Sequence, residues 1–471
     1  MEGRLFFEFI QVAVGNMTSL SVSVTDADWH RLFDFCKKQA LIGVGFTAVE
    51  KLHAIGVICP ATLRMQWLAL ALQIERRNAL LNEQCKKLAK RYEHDELSTC
   101  ILKGQGNCLN YPEGLRTRRM PGDIDVWATP IKDKRLLITD ERLFTHSIFS
   151  AVFIKLRKFL ITDGVHTENT EGNRGPQADF VGEQGLIKDE GLRIKDKGIA
   201  IAVQTGKEEV EYVEYHGRKA VIEYVRMQHR LEGNIEKPVI RYHHIEAPKI
   251  DGTEVEVHFR PCYAHSPLRN GRMQRWFEEH ADVCMKNKTH MGFAVPTASV
   301  NVVYQMCHLF SHYFDEGLGL RQLMDYYFAL RIWHNDVMEC KDLQTQGMWS
   351  EGLGTAVMSK EEVMAVLRSF GMKKFASAVM WVLKEVFAIP TNYYICEPNE
   401  KEGKKLLEEI MKGGNFGQYD TRDAALKKGG MMKHGVWKLK RVMRLVRSYP
   451  EEALWEPVFR VYHLGWRMIH G

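Results

Sequence analysis

Apolar residues near the start of the chain recur at helical spacing. After Pro60 they lie three, four or seven positions apart and form one stripe, which predicts a long amphipathic helix. An earlier helix is predicted to begin at Thr25, because Thr25 to Asp28 resembles a capping box. The first apolar run is interrupted by Glu8 and Gln11, so it predicts an amphipathic helix rather than a secretory signal. The stripe after Pro60 consists of Leu63, Trp67, Leu70, Ile74, Leu81 and Leu88.

The pattern changes to that of strands in the middle of the chain. Residues 122–128 alternate between apolar and polar positions, as a strand with one buried face does. Residues 99–103 form a short apolar run, and residues 238–247 and 253–260 are also strand-like. Asp251-Gly252 lies between the last two runs and predicts a tight hairpin.

Between these strands lies a region of different character. Residues 145–161 have an apolar helical face, whereas residues 162–198 are polar and rich in Gly, Asp, Glu and Asn. We expect the polar stretch to be an inserted loop. Residues 199–204 again resemble a strand.

From about residue 272 the pattern is helical to the end, with breaks near Pro390 and across the glycine-rich residues 413–417. The order of elements predicts an α+β fold, in which a small mixed sheet is flanked by N- and C-terminal helical regions. The predicted regions are 1–97 (helical), 98–262 (the sheet-containing core with its insertion at about 162–198) and 263–471 (helical).

Composition narrows the class of protein. The 471 residues are 45% hydrophobic and 26% charged, as in ordinary globular proteins. No run reaches the roughly 18 apolar residues that a membrane helix needs. The 10 cysteines include no C-x-x-C pair and fit a reducing, cytoplasmic location. The net charge of +6 permits a phosphate-bearing ligand without predicting nucleic acid.

Two carboxylates dominate the candidate chemistry. Asp123 and Asp125 lie two apart on a predicted strand and project to the same face. Carboxylates that close repel each other unless a cation neutralises them, and Mg²⁺ prefers oxygen ligands. A third acid is expected from a neighbouring strand. Glu256 is the better candidate, whereas Glu254 fits the exposed face of a hairpin.

A glycine turn precedes this pair. Lys103, Gly104 and Gly106 follow one predicted strand, and such a turn can present backbone N–H groups to phosphate. It is not a Walker A loop, because G-x-x-x-x-G-K-[ST] is absent. A purely structural turn is the alternative.

Three segments together resemble a known family. They are ILKGQGNCLNYPEGLRTRRMPGDIDVWA, then Glu256-Val257-His258, then HLFSHYFDEGLGLRQLMDYYFAL from His308 to Leu330. In this order they resemble the bacterial uncharacterised nucleotidyltransferase family, which is part of the DNA polymerase beta-like nucleotidyltransferase superfamily. The resemblance extends over about residues 26–390.

The resemblance implies a magnesium-dependent reaction. Asp123, Asp125 and Glu256 would hold Mg²⁺, and the turn at 104–106 would approach a nucleoside triphosphate. A hydroxyl of an unknown acceptor would attack the α-phosphate and release pyrophosphate. The wider superfamily usually has Gly-Ser at the phosphate loop, whereas this chain has Lys-Gly-Gln-Gly, which leaves open a catalytically inactive nucleotide-binding relative.

Other residues are candidates for the nucleotide. One arginine of the cluster Arg116, Arg118 and Arg119 is expected to contact the triphosphate, and Arg119 is the candidate that we select. Asp325 lies among apolar residues and needs a partner, so it would hold Arg321 or Lys103, contact the nucleotide, or form an ordinary buried pair.

Histidines offer two further patterns. His308 and His312 have zinc-compatible spacing, but without H-E-x-x-H we favour packing roles. His243 and His244 with His258 suggest a metal cluster, yet adjacent strand residues face opposite sides, which argues against His243 and His244 sharing one metal.

The basic stretch 433–447 is the only support for a second alternative, a toxin-like or regulatory enzyme that nucleotidylates a protein or tRNA. A solvated amphipathic helix packed by Val436, Leu439, Met443 and Val446 is the reading we favour for it.

Overall fold

The computed structural model describes residues 2–130, 192–195, 198–204, 210–215, 217–233, 237–345, 357–422, 426 and 430–470. The predicted helix at 145–161 lies outside these residues, as does most of the predicted insertion at 162–198. The structure confirms the predicted class: a small mixed sheet lies between N- and C-terminal helical regions.

The N-terminal region is helical, as predicted. Thr25 and Asp28 form the capping box at the start of the second helix. The stripe on the fourth helix is buried at Leu63, Trp67 and Leu81, so its spacing determines which face enters the core. The helices are α1 (Glu2–Val14), α2 (Asp26–Lys38), α3 (Ile42–Ala54) and α4 (Ala61–His94).

The described residues form seven strands in two sheets. The first sheet has the order β1-β2-β7-β6, and the second has the order β3-β4-β5. In the first sheet, β2 and β7 are parallel, whereas β1–β2 and β6–β7 are antiparallel. The strands are β1 (Leu97–Ile101), β2 (Ile124–Pro130), β3 (Leu192–Lys195), β4 (Gly198–Gln204), β5 (Val210–Tyr215), β6 (His244–Ile250) and β7 (Thr253–His258).

Two local predictions about strands have different outcomes. The hairpin at Asp251-Gly252 is confirmed: both residues have positive φ, 47° and 78°, as a type I′ turn requires. The prediction that 162–198 is entirely a loop is wrong at Leu192–Lys195, which pairs with β4. Hydrogen bonds to β4 stabilise this short segment, and the polar composition of residues 162–198 does not reveal that part of them has a partner strand.

Short helices connect and cover the first sheet. They are α5 (Gln105–Cys108), α6 (Glu113–Arg116) and α7 (Gly217–Leu231). Alternation along β2 and β7 turns Val126 and Val257 towards a hydrophobic cluster that includes Leu88 of α4 and Tyr224 of α7. The opposite face carries polar residues of β2 and β7 and looks towards the C-terminal helices, where Trp127 packs edge-on against Phe277.

The C-terminal region is helical and is interrupted at both predicted places. A 3₁₀ turn follows Pro390, and a second covers Asn415–Gly417. Among the described residues, no helix is both long and apolar enough to cross a bilayer. The helices are α8 (Pro267–Glu279), α9 (Ala281–Lys286), α10 (Ala298–Asp315), α11 (Leu320–Thr345), α12 (Lys360–Ser369), α13 (Lys373–Phe387), α14 (Glu400–Gly413), α15 (Met431–Leu445) and α16 (Pro450–His470).

The N- and C-terminal helical regions share one hydrophobic core. Phe6 and Phe9 of α1 belong to the same buried cluster as Val379 and Phe387 of α13. The sheet therefore lies beside a helical body built from both ends of the chain, and the polar face of β2 and β7 is turned towards it.

The basic stretch 433–447 is helical as far as Leu445, and the predicted packing is right for Val446, which lies partly buried against the core, but wrong for the other three residues. Val436, Leu439 and Met443 are exposed. The buried side chains are instead Trp437, Val442 and Leu445, together with Arg441, which donates to the carbonyls of Tyr313 and Phe314. Several faces of this helix carry apolar residues, so the sequence alone does not determine which face packs.

Candidate active site

Asp125 and Glu256 lie next to each other on the polar face of the sheet. They are Cα partners in the parallel pair β2–β7, and such partners project to the same face. Asp125, Glu256 and His258 each present a ligand atom within 4.8 Å of the other two. The sheet register therefore brings together two of the three acids that the sequence analysis selected.

Asp123 lies at the entrance to β2 and is exposed to solvent. The charge of Asp125, together with partial burial, raises the pKa of Asp123, and Lys103 opposes this shift. Within the described part of the chain, Asp123 is not part of the tight cluster of Asp125, Glu256 and His258. It is thus close enough to Asp125 for repulsion, and it is accessible to a ligand from solvent.

Lys103 supplies a positive charge to the carboxylates. Its Nζ lies 2.8 Å from Asp125 Oδ1, and its side chain is mostly buried. Burial disfavours the ammonium, but Asp125, Asp123 and Glu256 outweigh burial and raise the pKa of Lys103. The sequence predicts that Lys103 contacts the nucleotide, and it does not predict the ion pair between Lys103 and Asp125.

His258 joins the two carboxylates. Its Nε2 lies 3.0 Å from Asp125 Oδ1 and 3.5 Å from Glu256 Oε2. Burial disfavours charge on Glu256, but the hydrogen bond from His258 and the charge of Lys103 outweigh burial and lower the pKa of Glu256. Glu256 is therefore held as a carboxylate at neutral pH.

His243 and His244 extend this row of polar groups. His244 Nδ1 lies 3.4 Å from Glu256 Oε2 and 3.0 Å from His243 Nε2. The expectation that the two histidines face apart is wrong, because His243 precedes β6 and does not follow the strand's alternation. His243, His244 and His258 present nitrogens close enough to share a metal ion.

Glu254 is exposed and pairs with Lys249, as the sequence predicts for the outer part of the hairpin. It projects to the same face of β7 as Glu256, two residues away, but lies outside the polar cluster.

The glycine turn is tightly packed against its surroundings. Gly104 has φ +60°, and a Cβ there would lie 3.3 Å from the carbonyl oxygen of Asp123. A Cβ on Gly106 would lie 2.5 Å from the carbonyl oxygen of Ile101, and the Gly106 N–H donates to the Lys103 carbonyl. Backbone conformation at Gly104 and packing at Gly106 therefore account for both glycines, and contact with a nucleotide stays a prediction.

Arg119 and Asp325 pair with each other in the interior. Arg119 donates two hydrogen bonds of 2.7 Å to the two oxygens of Asp325, and Tyr111 donates a third of 2.6 Å. Of the alternatives for Asp325, the ordinary buried pair is the one observed, and no salt bridge to Arg321 or Lys103 is present within the described residues. The pair favours a structural role for both residues, and contact with the nucleotide stays a prediction.

The other two arginines of that cluster bind within the chain. Arg118 pairs with Glu50 and Glu75 on α3 and α4. Arg116 donates to the carbonyls of Leu109 and Tyr111.

Helix α10 carries aromatic side chains near the polar face. His308 stacks at 5.9 Å on Tyr304 and lies edge-on to His312 at 4.3 Å. Burial, the neighbouring His312 and the charge of Lys103 lower the pKa of His308. These ring contacts agree with the packing roles predicted for His308 and His312.

The position of Arg321 beside the turn before β2 is not predicted by the sequence, which suggests Arg321 only as a partner of Asp325. Arg321 is buried near Gly122, and its NH1 donates to the carbonyl of Met120 at 3.2 Å. Its position four residues before Asp325 on a helix gave no signal of this neighbour, because Met120 is 201 residues away in sequence.

One family matches more than half of the chain. Residues 25–136 and 206–347 match the family described as uncharacterised nucleotidyltransferase, and the chain belongs to that family. The matched residues include Lys103, Asp123 just before β2, Asp125 on β2, and the segment from Glu256 to His258 on β7. Neither a curated protein nor a solved structure matches the chain.

Proposed function

We propose that the protein transfers a nucleoside monophosphate from a nucleoside triphosphate to a hydroxyl group of an acceptor, with Mg²⁺ held by Asp123, Asp125 and Glu256. The observation that carries the proposal is the register of β2 and β7, which sets Asp125 beside Glu256 on one face. Membership of the nucleotidyltransferase family supports the class of reaction.

The donor set fits a hard divalent cation. Three carboxylates supply oxygen ligands, which Mg²⁺ prefers. The repulsion from Asp125 that raises the pKa of Asp123 is the kind of unfavourable interaction that a bound cation relieves. When bound, Mg²⁺ supplies positive charge to the oxygens of the reacting phosphates.

The chain's own residues prepare the site. His258 bonds to both Asp125 and Glu256 and so fixes their orientation, as outer-shell partners of metal ligands do. Lys103 adds a fixed charge beside Asp125. In the reaction, the acceptor hydroxyl loses its proton to solvent and its oxygen forms a bond to the α-phosphorus. The bond from that phosphorus to the bridging oxygen of the β-phosphate breaks, and pyrophosphate leaves.

The ion pair between Lys103 and Asp125 favours one alternative, a relative that binds nucleotide without transferring it. In the structure the Lys103 ammonium neutralises Asp125, whereas the proposed reaction requires Asp125 as a metal ligand. Nucleotidylation of a protein or tRNA has less support, because Trp437 and Arg441 of its basic segment are buried.

Pyrophosphate release with each of ATP, CTP, GTP and UTP, in the presence of Mg²⁺ and a protein-free cell extract that supplies acceptor hydroxyls, tests the proposal. We expect release with at least one nucleotide and a loss of at least about 100-fold in Asp125→Asn and Glu256→Gln, more than the loss of an outer-shell partner causes. Glu254→Gln is the matched control and should keep the full rate. Binding of a triphosphate without release from any of them would favour the inactive relative.

A further inference from the structure

Arg321 is a buried guanidinium that lacks a carboxylate partner among the described residues. Only 8% of the residue is exposed, and its Nε has no hydrogen-bond partner. The nearest acid on its own helix, Asp325, already gives both oxygens to Arg119. A buried charge is costly unless it is paired, so the fold maintains this one at a cost in stability.

The guanidinium faces the turn that leads into β2. Its NH1 lies 4.0 Å from the position that a Cβ on Gly122 would occupy. Burial and the charge of Arg119 lower the pKa of Arg321 to about 10, although the charges of Asp325 and Asp123 oppose this shift. Arg321 is therefore still charged at neutral pH, beside the first aspartate of the site.

Phe416 holds the other side of Arg321. Its ring centre lies 5.2 Å from the guanidinium carbon, within the range of a cation–π contact. Phe416 has φ 51° and ψ 29°, a left-handed conformation that residues other than glycine rarely adopt. Strain of this kind persists where the surrounding structure imposes it and often marks a functional position.

The loop that carries Phe416 is fixed against the turn before α11. A Cβ on Gly417 would lie 2.2 Å from the Glu316 carbonyl oxygen, and a Cβ on Gly319 would lie 2.8 Å from Asn415 Cα. The close packing of these backbones holds the loop that carries Phe416 beside the start of α11. Arg321 is thus held in place by a hydrogen bond to Met120 and by the ring of Phe416, and neither neutralises its charge.

We propose that Arg321 binds the phosphate oxygens of the triphosphate next to the carboxylate site. The identity of the anion rests on the proposed function; the existence of an anion site rests on the unpaired, buried guanidinium. Arginine suits this role because its planar fork can donate two parallel hydrogen bonds to phosphate. Lys103 also lies close to Asp123, so a polyphosphate would lie between two fixed positive charges.

Binding of inorganic tripolyphosphate, measured by isothermal titration calorimetry with Mg²⁺ present, tests the site apart from catalysis. We expect the full-length protein to bind it and Arg321→Met to weaken binding by at least about tenfold, since hydrogen bonds to charged groups are lost. Arg331→Met is the matched control. Arg331 lies on the same helix and also packs on an aromatic ring, that of Tyr327. The affinity of Arg331→Met for tripolyphosphate should differ from that of the unaltered protein by less than about twofold.

Thermal unfolding separates a ligand-binding role from a structural one. Because Arg321→Met removes an unpaired buried charge, we expect a Tm equal to or above that of the unaltered protein. Arg119→Met leaves the buried carboxylate of Asp325 without its charge partner, with the Tyr111 hydroxyl still donating to it, and should lower the Tm clearly. Weaker tripolyphosphate binding with an undiminished Tm supports the proposal, and unchanged binding in Arg321→Met overturns it.

If Arg321→Met does not fold, or loses as much Tm as Arg119→Met, Arg321→Lys decides. It keeps the charge but loses the fork, so weaker binding supports the proposal and unchanged binding overturns it. Absence of tripolyphosphate binding by the unaltered protein also overturns it.

The proposed function fails in a different way. Tripolyphosphate binding that depends on Arg321, without pyrophosphate release from any triphosphate, would contradict nucleotidyl transfer and leave the anion site standing. Equal kcat and KM in Arg321→Met and the unaltered enzyme would contradict the anion site and leave nucleotidyl transfer standing.

Discussion

Arg119 binds Asp325 through two parallel hydrogen bonds of 2.7 Å, and both residues are almost fully buried. The pair joins the segment between β1 and β2 to helix α11, which are 206 residues apart in sequence. It therefore determines how the turn before β2 sits against the helical body.

Removing one member of this pair should destabilise the fold. Asp325→Asn or Arg119→Met is expected to lower the free energy of unfolding by about 3–5 kcal/mol, because an uncompensated charge or unpaired donors remain buried. Chemical denaturation measures the change. Arg91→Met is the control, since Arg91 and its partner Glu232 are both exposed and such pairs contribute about 0–1 kcal/mol. Equal losses in the two variants would contradict a special role for the buried pair.

Gly106 should tolerate no side chain. A Cβ there would lie 2.5 Å from the Ile101 carbonyl oxygen, so Gly106→Ala must displace backbone beside the site. We expect a loss of about 1–3 kcal/mol, as for other overpacked positions. Gly114→Ala, which meets nothing within 4 Å, should be close to neutral by comparison. Denaturation midpoints measure both, and a neutral Gly106→Ala would contradict the packing argument.

Metal removal should reveal the carboxylate site without any nucleotide. Binding of Mg²⁺ to the folded state raises the Tm by mass action. Adding EDTA should therefore lower the Tm of the unaltered protein and have no effect on Asp123→Asn with Asp125→Asn. Glu254→Gln should respond like the unaltered protein. A Tm that ignores both EDTA and added Mg²⁺ would count against a metal held by these acids.

Acid should weaken one tertiary contact far from the site. Glu452 is buried beside His265, whose Nδ1 lies 3.1 Å from its Oε1, and Arg269 lies farther away at 3.8 Å. Burial disfavours the carboxylate, but the bonds from His265 and the charge of Arg269 outweigh burial and lower the pKa of Glu452 below its ordinary 4.5.

A lowered pKa means that the folded state prefers the charged form. This contribution is complete above the ordinary pKa and is lost as the pH falls through the folded-state pKa. Glu452→Gln should therefore cost about 1.5–3 kcal/mol at pH 7, the range for hydrogen bonds to charged groups, and less below pH about 4. Urea denaturation at both pH values measures the difference, and a cost that grows in acid would contradict the assignment.

The local pattern of the sequence identified much of the sheet and half of the site. Alternation over 122–128 predicted β2 and placed the two aspartates on one side, because side chains in a strand repeat with period two. The glycine at 252 predicted the hairpin of β6 and β7, because only a few residue types adopt positive φ easily. Period and turn chemistry are properties of neighbouring residues, so no tertiary structure was needed.

Partners distant in sequence were not accessible in this way. The choice among Arg119, Arg321 and Lys103 as the partner of Asp325 depends on how α11 packs against the segment before β2. The packing face of 433–447 likewise depends on which helix covers it, since several of its faces carry apolar residues.

By itself, the sequence determined the helical ends, the strand that carries Asp125 and follows Asp123, and the family to which the chain belongs. The tertiary structure decided which charges neutralise one another: Lys103 with Asp125, Arg119 with Asp325, and Arg321 with no acid among the described residues. Periodicity follows from the geometry of one element, whereas a charge pair requires two elements to meet at a given distance and orientation.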